Sequence, residues 1–381
     1  MAAPVYLDFN ATTPVDPRVL EFMLPYFSEH FGNAASRTHA YGWVAAQAVD
    51  DARERVAALI GAEPGEIVFT SGATESINLA LKGAFEAYAS KGRHFITVQT
   101  EHKAVLDSFH ALEQRGAEVS YLPVDPEGLL DPAVLKKALR PDTVLVAVMM
   151  ANNETGTIQP VAELSQLVHA NGSVFFSDTT QAARKMRIDV QEQGLDLCCL
   201  SAHKIYGPKG AGALYVRRKN PRVSLVAQMH GGGHERGLRS GTLNVAGIAG
   251  FGKAAEFALA EGWDEAQRIS MLRSKLEWKI QECGDVFING SIRNRLPNTS
   301  NLSIRGIKAD QLITRLPGFA IATGSACTSA IPEPSHVLKA MGIPDELAYA
   351  SIRISLGRTT TEAQCQAAGE ALCNLIGKLR Y

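Results

Sequence analysis

The chain has 381 residues, 46% of them hydrophobic, with 38 basic against 39 acidic side chains and a formal net charge of −1. It is long enough to bury a sizeable core in two domains, and its balanced charge offers no electrostatic footprint for nucleic acid or an acidic membrane surface. The longest apolar run, Val144 to Ala151, is eight residues, far short of the roughly 20 that a membrane span needs.

Met1-Ala2-Ala3-Pro4 lacks a basic leader and Asp8 interrupts the apolar stretch a secretory signal would require, so a cytoplasmic protein is expected. A helix is predicted from the three- to four-residue recurrence of Ala45, Val49, Ala52, Val56 and Ile60, with Gly61 as its stop. Core strands are predicted at 67–70, 95–98, 143–149, 174–176 and 197–200, each a β-rich run bounded by Gly, Pro, Asn, Asp or Ser. Strands alternating with helices imply an α/β fold with a mainly parallel sheet. Around 255–283 the pattern becomes one long charged helix. Short strands near 286–289, 299–304 and 319–322 and a last helix near 360–379 then suggest a smaller α+β layer. The expected division is a large domain over 17–255 and a small one formed by 1–16 and 256–381. The six cysteines (Cys198, Cys199, Cys283, Cys327, Cys365, Cys373) show neither C-x-x-C nor Cys/His metal spacing. No metal site is expected, and the thiols read as reduced, mostly buried small side chains.

Four stretches at predicted strand ends carry possible chemistry. Lys204, in Ser201-Ala202-His203-Lys204, follows the apolar strand ending at Leu200. Ligands of open α/β sheets bind at that edge, and a lysine amine there can form a Schiff base with a carbonyl, although a lone lysine is by default a solvated loop residue. Ser71-Gly72-Ala73-Thr74 opens a helix whose free N–H groups make an anion site or an ordinary cap. Asp178 lies just past a buried strand, where a carboxylate can pair with a pyridinium nitrogen or cap a turn. His102 sits past another strand, as a ring-stacking base or a surface histidine. Together the four supply an amine, a phosphate cradle, a ring acid and a base, the set that pyridoxal phosphate requires.

With these residues in view, the chain resembles the NifS/IscS-type cysteine desulfurases, which are class-V aminotransferase-like enzymes. The resemblance runs from Tyr6-Leu7-Asp8 to Leu356-Gly357-Arg358 through "TSGATES" at 70–76, "TEHKAVL" at 100–106, "NNETG" at 152–156, "AHKIYGPKG" at 202–210, "HGGGHERGLRSGT" at 230–242 and "GSACTS" at 324–329. It implies the aspartate-aminotransferase-like fold of pyridoxal-phosphate transferases, with a large mainly parallel sheet domain and a smaller α+β domain. By that resemblance Lys204 holds pyridoxal 5'-phosphate as a Schiff base, Asp178 pairs with the ring nitrogen and Gln181 contacts the phenolic oxygen. Ala73, Thr74, Ser201 and His203 bind the phosphate, with Thr242 arriving from the second subunit of a homodimer. His102 stacks on the ring, and Asn153 and Arg353 take the substrate carboxylate. Without the resemblance, Arg353 reads as an outward residue of an alternating strand.

The implied reaction converts L-cysteine to L-alanine and leaves a persulfide on Cys327, in a small-residue loop, for a sulfur-acceptor protein. A selenocysteine lyase, a transaminase and a non-catalytic assembly subunit are the alternatives. Iron–sulfur assembly, tRNA thiolation and sulfur modification of DNA remain open as pathways. Two departures from the family pattern stand out. Ala322-Thr323-Gly324-Ser325 replaces the usual Ser-Ser-Gly-Ser, and the sequence stops at Leu379-Arg380-Tyr381, where scaffold-feeding relatives carry an extension. The implication of scaffold delivery is weakened accordingly.

Overall fold

The computed structural model describes residues 4–323 and 334–380. Seven strands form one sheet in the order Ile67–Thr70, Gly212–Val216, Leu197–Ser201, Val174–Asp178, Thr143–Ala147, His94–Val98, Glu118–Leu122. Six run in one direction, and Gly212–Val216 runs against both of its neighbours. All five predicted core strands are present, with no end moved by more than two residues. Glu118–Leu122 escapes the sequence pattern because it is an edge strand with only Leu122 buried. Gly212–Val216 escapes it because it opens on a glycine.

The central strands are buried along their whole length, as expected for a parallel sheet covered on both faces. Alternate residues serve opposite faces. Phe175, Cys198 and Tyr215 enter one core, while Phe176, Cys199 and Leu214 enter the other. The first core is closed by the helices Ala40–Leu59 and Val161–Ala170 and the front half of Val245–Gln281. The second is closed by Ala73–Ala87 and Lys103–Glu113. A Cβ on Gly252 would lie 2.5 Å from the Cα of Ala52, so the glycine is what lets the long helix approach Ala40–Leu59.

The 37-residue helix Val245–Gln281 starts ten residues before the predicted position and passes from one core into another. Its residues up to Ala258 pack against the large sheet. From Ile269 to Ile280 they pack with Leu7, the antiparallel strands Thr299–Ile304 and Ser351–Ser355, and the last helix Glu362–Arg380. The strand Val5–Tyr6 pairs in parallel with Phe319–Ala320, so the N-terminal segment joins the layer built from the C-terminal part. No helix among the described residues is long and apolar enough to cross a membrane.

Two expectations need correction. Cys283 and Cys373 are not isolated thiols: their sulfurs meet, with Cα atoms 5.8 Å apart, within the span of a disulfide. Ninety residues separate them, so spacing gave no warning. Arg217 opens the basic run Arg217-Arg218-Lys219, which by composition alone is expected to be a solvated strand end. Arg217 is 7% exposed, with Nε donating to the Leu195 carbonyl at 3.0 Å and Nη2 to the Val190 carbonyl at 3.2 Å.

Candidate active site

Because six strands share a direction, Thr70, Val98, Ala147, Asp178 and Ser201 end at one edge of the sheet, where the antiparallel strand begins at Gly212. Gly212 pairs with Thr70 on one side and Ser201 on the other. A Cβ there would sit 2.5 Å from the Cα of Gly72, so only glycine admits the turn that opens the helix Ala73–Ala87. That helix has no side-chain cap, and its first carbonyl bond runs from Ser76 N–H to Gly72 O at 3.1 Å. The amides of Ala73 and Thr74 are left pointing off the helix start, where the dipole favours an anion. The Ser201 hydroxyl is 3.8 Å from the Cβ position of Gly72. Beside the cradle, His203 Nδ1 meets Thr12 Oγ1 at 3.0 Å. Burial, with Lys204 and Lys209 nearby, lowers its pKa to about 4, so the ring is neutral.

Lys204 follows Ser201 by a single 3₁₀ turn, and its Nζ donates to the carbonyls of Asn10 at 2.5 Å and Ala11 at 2.9 Å. Burial and the Arg353 charge bring its pKa down to about 8 against the opposing pull of Asp178 and Asp8. A fraction of the amine is therefore neutral and nucleophilic near pH 7. Asp178 Oδ1 accepts from Thr180 N–H at 2.9 Å and from the Cys199 thiol at 3.2 Å, which fixes the carboxylate at the strand end. His102 caps the helix Lys103–Glu113: its Nδ1 accepts from Ala104 N–H at 3.1 Å. The proton of the neutral ring is thus on Nε2, and burial lowers the pKa of the group further.

Arg353 is 7% exposed, contrary to its reading as an outward strand residue. Its Nη2 pairs with Asp8 Oδ1 at 2.7 Å and its Nη1 with the Asn153 carbonyl at 3.1 Å, while Nε is a buried donor with no partner among the described residues. The strand Ser351–Ser355 packs into the third core through Ile352 and Ile354, and this turns the alternate position, Arg353, toward Asn153. Main-chain bonds in both directions join Arg353 to Ala322, at 2.6 and 3.2 Å. Cys327 lies outside the described residues. On its C-terminal side, the Ser335 hydroxyl donates to Glu154 Oε2 at 2.5 Å and His336 Nε2 donates to the Glu101 carbonyl at 2.9 Å. Thr242 is exposed, on a loop that Arg239 ties to the cradle by its bond to Glu75 Oε1 at 2.7 Å.

Lys204, Gln181, Asn153 and Arg353 are therefore linked, with Asp178 and His102 acting electrostatically on the same group. The link is Asn10, which motif reading missed. Its carbonyl accepts from Lys204 and from Gln181 Nε2 at 3.0 Å. Its Nδ2 donates to the Asn153 carbonyl at 3.1 Å and Thr299 Oγ1 at 2.8 Å, and its Oδ1 accepts from Asn298 at 2.9 Å. Also missed were Lys185 and two buried carboxyls, Glu101 and Glu154. Burial raises Glu154 to about 7 despite the bond from Ser335, and burial with the Asp178 charge raises Glu101 well above the usual carboxyl range. Burial is the signal, and it exists only after folding.

The aminotransferase class-V family pattern matches residues 5–367. The chain is 55% identical over 381 residues to "Cysteine desulfurase IscS" of Anaeromyxobacter sp. (strain Fw109-5), covering 100% of this chain and 94% of that protein. Among solved structures, a "NifS-like protein" superposes with a TM-score of 0.92 at 38% identity, covering 98% of this chain and 100% of the other. "SspA in complex with cysteine" superposes at 0.83, also at 38% identity, covering 94% of this chain and 100% of that one.

Proposed function

Since the chain belongs to the class-V aminotransferase family and is a cysteine desulfurase, we propose that it works on pyridoxal phosphate held at the sheet edge and passes sulfur through Cys327 to an acceptor protein. The observation that carries the reading is the Lys204 amine, brought to a pKa of about 8 at the same strand ends as the Asp178 carboxylate and the uncapped helix start. The donor set fits the cofactor. Orphan amides at Ala73 and Thr74, with Ser201 and His203, suit its phosphate, Asp178 its ring nitrogen, Gln181 its phenolic oxygen and Lys204 its aldehyde. When bound, pyridoxal phosphate supplies the electron sink for charge that develops at the substrate Cα.

The protein residues then have separate tasks. Arg353 offers its guanidinium charge to the substrate carboxylate, with Asn153 beside it. His102 stacks on the ring, and its neutral imidazole and the Lys204 amine carry protons to and from the substrate. The Cys327 thiolate attacks the substrate sulfur, the Cβ–S bond breaks, and the products are L-alanine and a persulfide on Cys327. No outside oxidant is needed. A homodimer is part of the same reading: Leu24, Phe27, Phe31, Tyr41 and Trp43 are each more than half exposed in the single chain, an apolar surface suited to a second copy. In that dimer the exposed Thr242 reaches the partner's phosphate site. A soluble cytoplasmic location suits a thiol that must stay reduced between turnovers.

The test supplies L-cysteine and reductant to Cys327→Ala and Lys204→Ala proteins. Both are expected to lose sulfide release, with the yellow colour of bound cofactor kept only by Cys327→Ala. Full sulfide production by Cys327→Ala would overturn the persulfide route.

A further inference from the structure

Lys185 is a lysine at the site with no carboxylate of its own. Its Nζ donates to Gln181 Oε1 at 2.6 Å and to Asn10 Oδ1 at 3.3 Å. The charged groups acting on it are Lys204, Arg353 and Glu265, and Glu265 is already bonded to Arg184 Nη2 at 2.6 Å. Lys185 and Lys204 line one small cavity of about 20 Å³ with Arg184, Glu265 and Asn298, room for about one water molecule. An amine buried among two other cations is costly unless its donors are used. Here they are used on the side chain that faces the cofactor and on the residue whose carbonyl receives Lys204.

We infer that Lys185 is a positioning residue that sets the orientation of the Gln181 carboxamide and so directs an N–H of Gln181 to the phenolic oxygen of the cofactor. A carboxamide has a donor end and an acceptor end that differ little in shape, so its partners must choose between them. At Gln181 two bonds make the choice. Oε1 is taken by the Lys185 amine, and Nε2 donates to the Asn10 carbonyl at 3.0 Å. A flipped amide would set two acceptor oxygens, Oε1 and the Asn10 carbonyl, against each other. In the observed orientation one N–H of Nε2 is spent on Asn10 and the second is free for the ring oxygen.

The inference rests on the proposed cofactor site, and the test separates the two. Cofactor-loaded wild type, Lys185→Met, Gln181→Ala and the double variant are titrated between pH 6 and 10 through the visible absorption band of the bound cofactor. Lys185→Met is expected to raise the midpoint by roughly 0.5–1 pH unit, the worth of about one hydrogen bond, in the direction of Gln181→Ala. In the Gln181→Ala background it is expected to move the midpoint by less than about 0.2, since its route is gone. Lys185→Leu is run through the same cycle, so that the outcome does not depend on the folding of one variant. Equal shifts in both backgrounds, or a wild-type midpoint in Lys185→Met, overturn the inference. A band that survives in Lys204→Ala overturns the site itself, whereas its loss there with unchanged Lys185→Met titration overturns the inference alone.

Discussion

Replacing Glu154 by glutamine should remove a pH dependence from the stability of the protein. Glu154 is 3% exposed and accepts a hydrogen bond from Ser335, and burial holds its carboxyl at about 7 against an ordinary value of 4.5. A carboxyl raised on folding binds its proton more tightly in the native state, so its stabilising contribution is complete below about pH 4.5 and is lost as pH rises through 7. Worked from those two values, the contribution falls by about 2.5 kcal/mol between pH 5 and pH 8. The substituted carboxamide would stay neutral throughout and could still accept from Ser335. Chemical unfolding of cofactor-loaded wild type and Glu154→Gln, at one protein concentration and at pH 5, 6, 7 and 8, reads the difference directly. Wild type should lose about 2–3 kcal/mol relative to the variant across that range. A difference that is flat with pH would refute the reasoning, because the carboxyl would then titrate alike in the folded and unfolded chain.

Other substitutions address the rest of the site. Gly212→Ala puts a methyl 2.5 Å from the Cα of Gly72, so equilibrium dialysis should show cofactor affinity reduced about tenfold or more, and an unchanged affinity would contradict the cradle. Arg353→Lys replaces a planar fork by a point charge, and KM for L-cysteine should rise about tenfold or more with a smaller change in kcat. The rate of cofactor uptake by apoprotein should increase with pH and level off above about 8, where Lys204 becomes neutral. A midpoint near 10 would show that the amine is not depressed.

The parts of the site that could be read in advance are those that announce themselves locally. Lys204, Asp178, His102 and the 71–74 turn each lie at or just past the end of a buried strand, and a sheet whose strands run mostly one way gathers those ends at one edge. Five of the seven strands of the large sheet were legible as buried β-rich runs, whereas the expected strand near 319–322 pairs with Val5–Tyr6 and lies outside the antiparallel sheet of Val286–Ile288, Thr299–Ile304 and Ser351–Ser355. Periodicity could not place the start of the long helix at Val245, because its first half is buried nearly all round and has no polar face to mark it. Nor could it find Asn10, whose partners Gln181, Thr299 and Ser355 are 171, 289 and 345 residues away in the chain. Arg353 required knowledge of which face of its strand meets a core.

The hidden residues share one physical property that helps explain the visible ones. Burial raises the carboxyls of Glu101 and Glu154 and lowers the amine of Lys185, just as it lowers two histidines read in advance, His102 and His203, so each is driven toward its neutral form. A site lined this way adds little fixed charge of its own around Lys204, and Asp8 already offsets Arg353 at 2.7 Å. The strong charges at the sheet edge are then left to the phosphate, the substrate carboxylate and the groups that meet them. In such surroundings the Lys204 amine can gain or lose a proton near neutral pH, with burial and Arg353 lowering its pKa against the pull of Asp178 and Asp8.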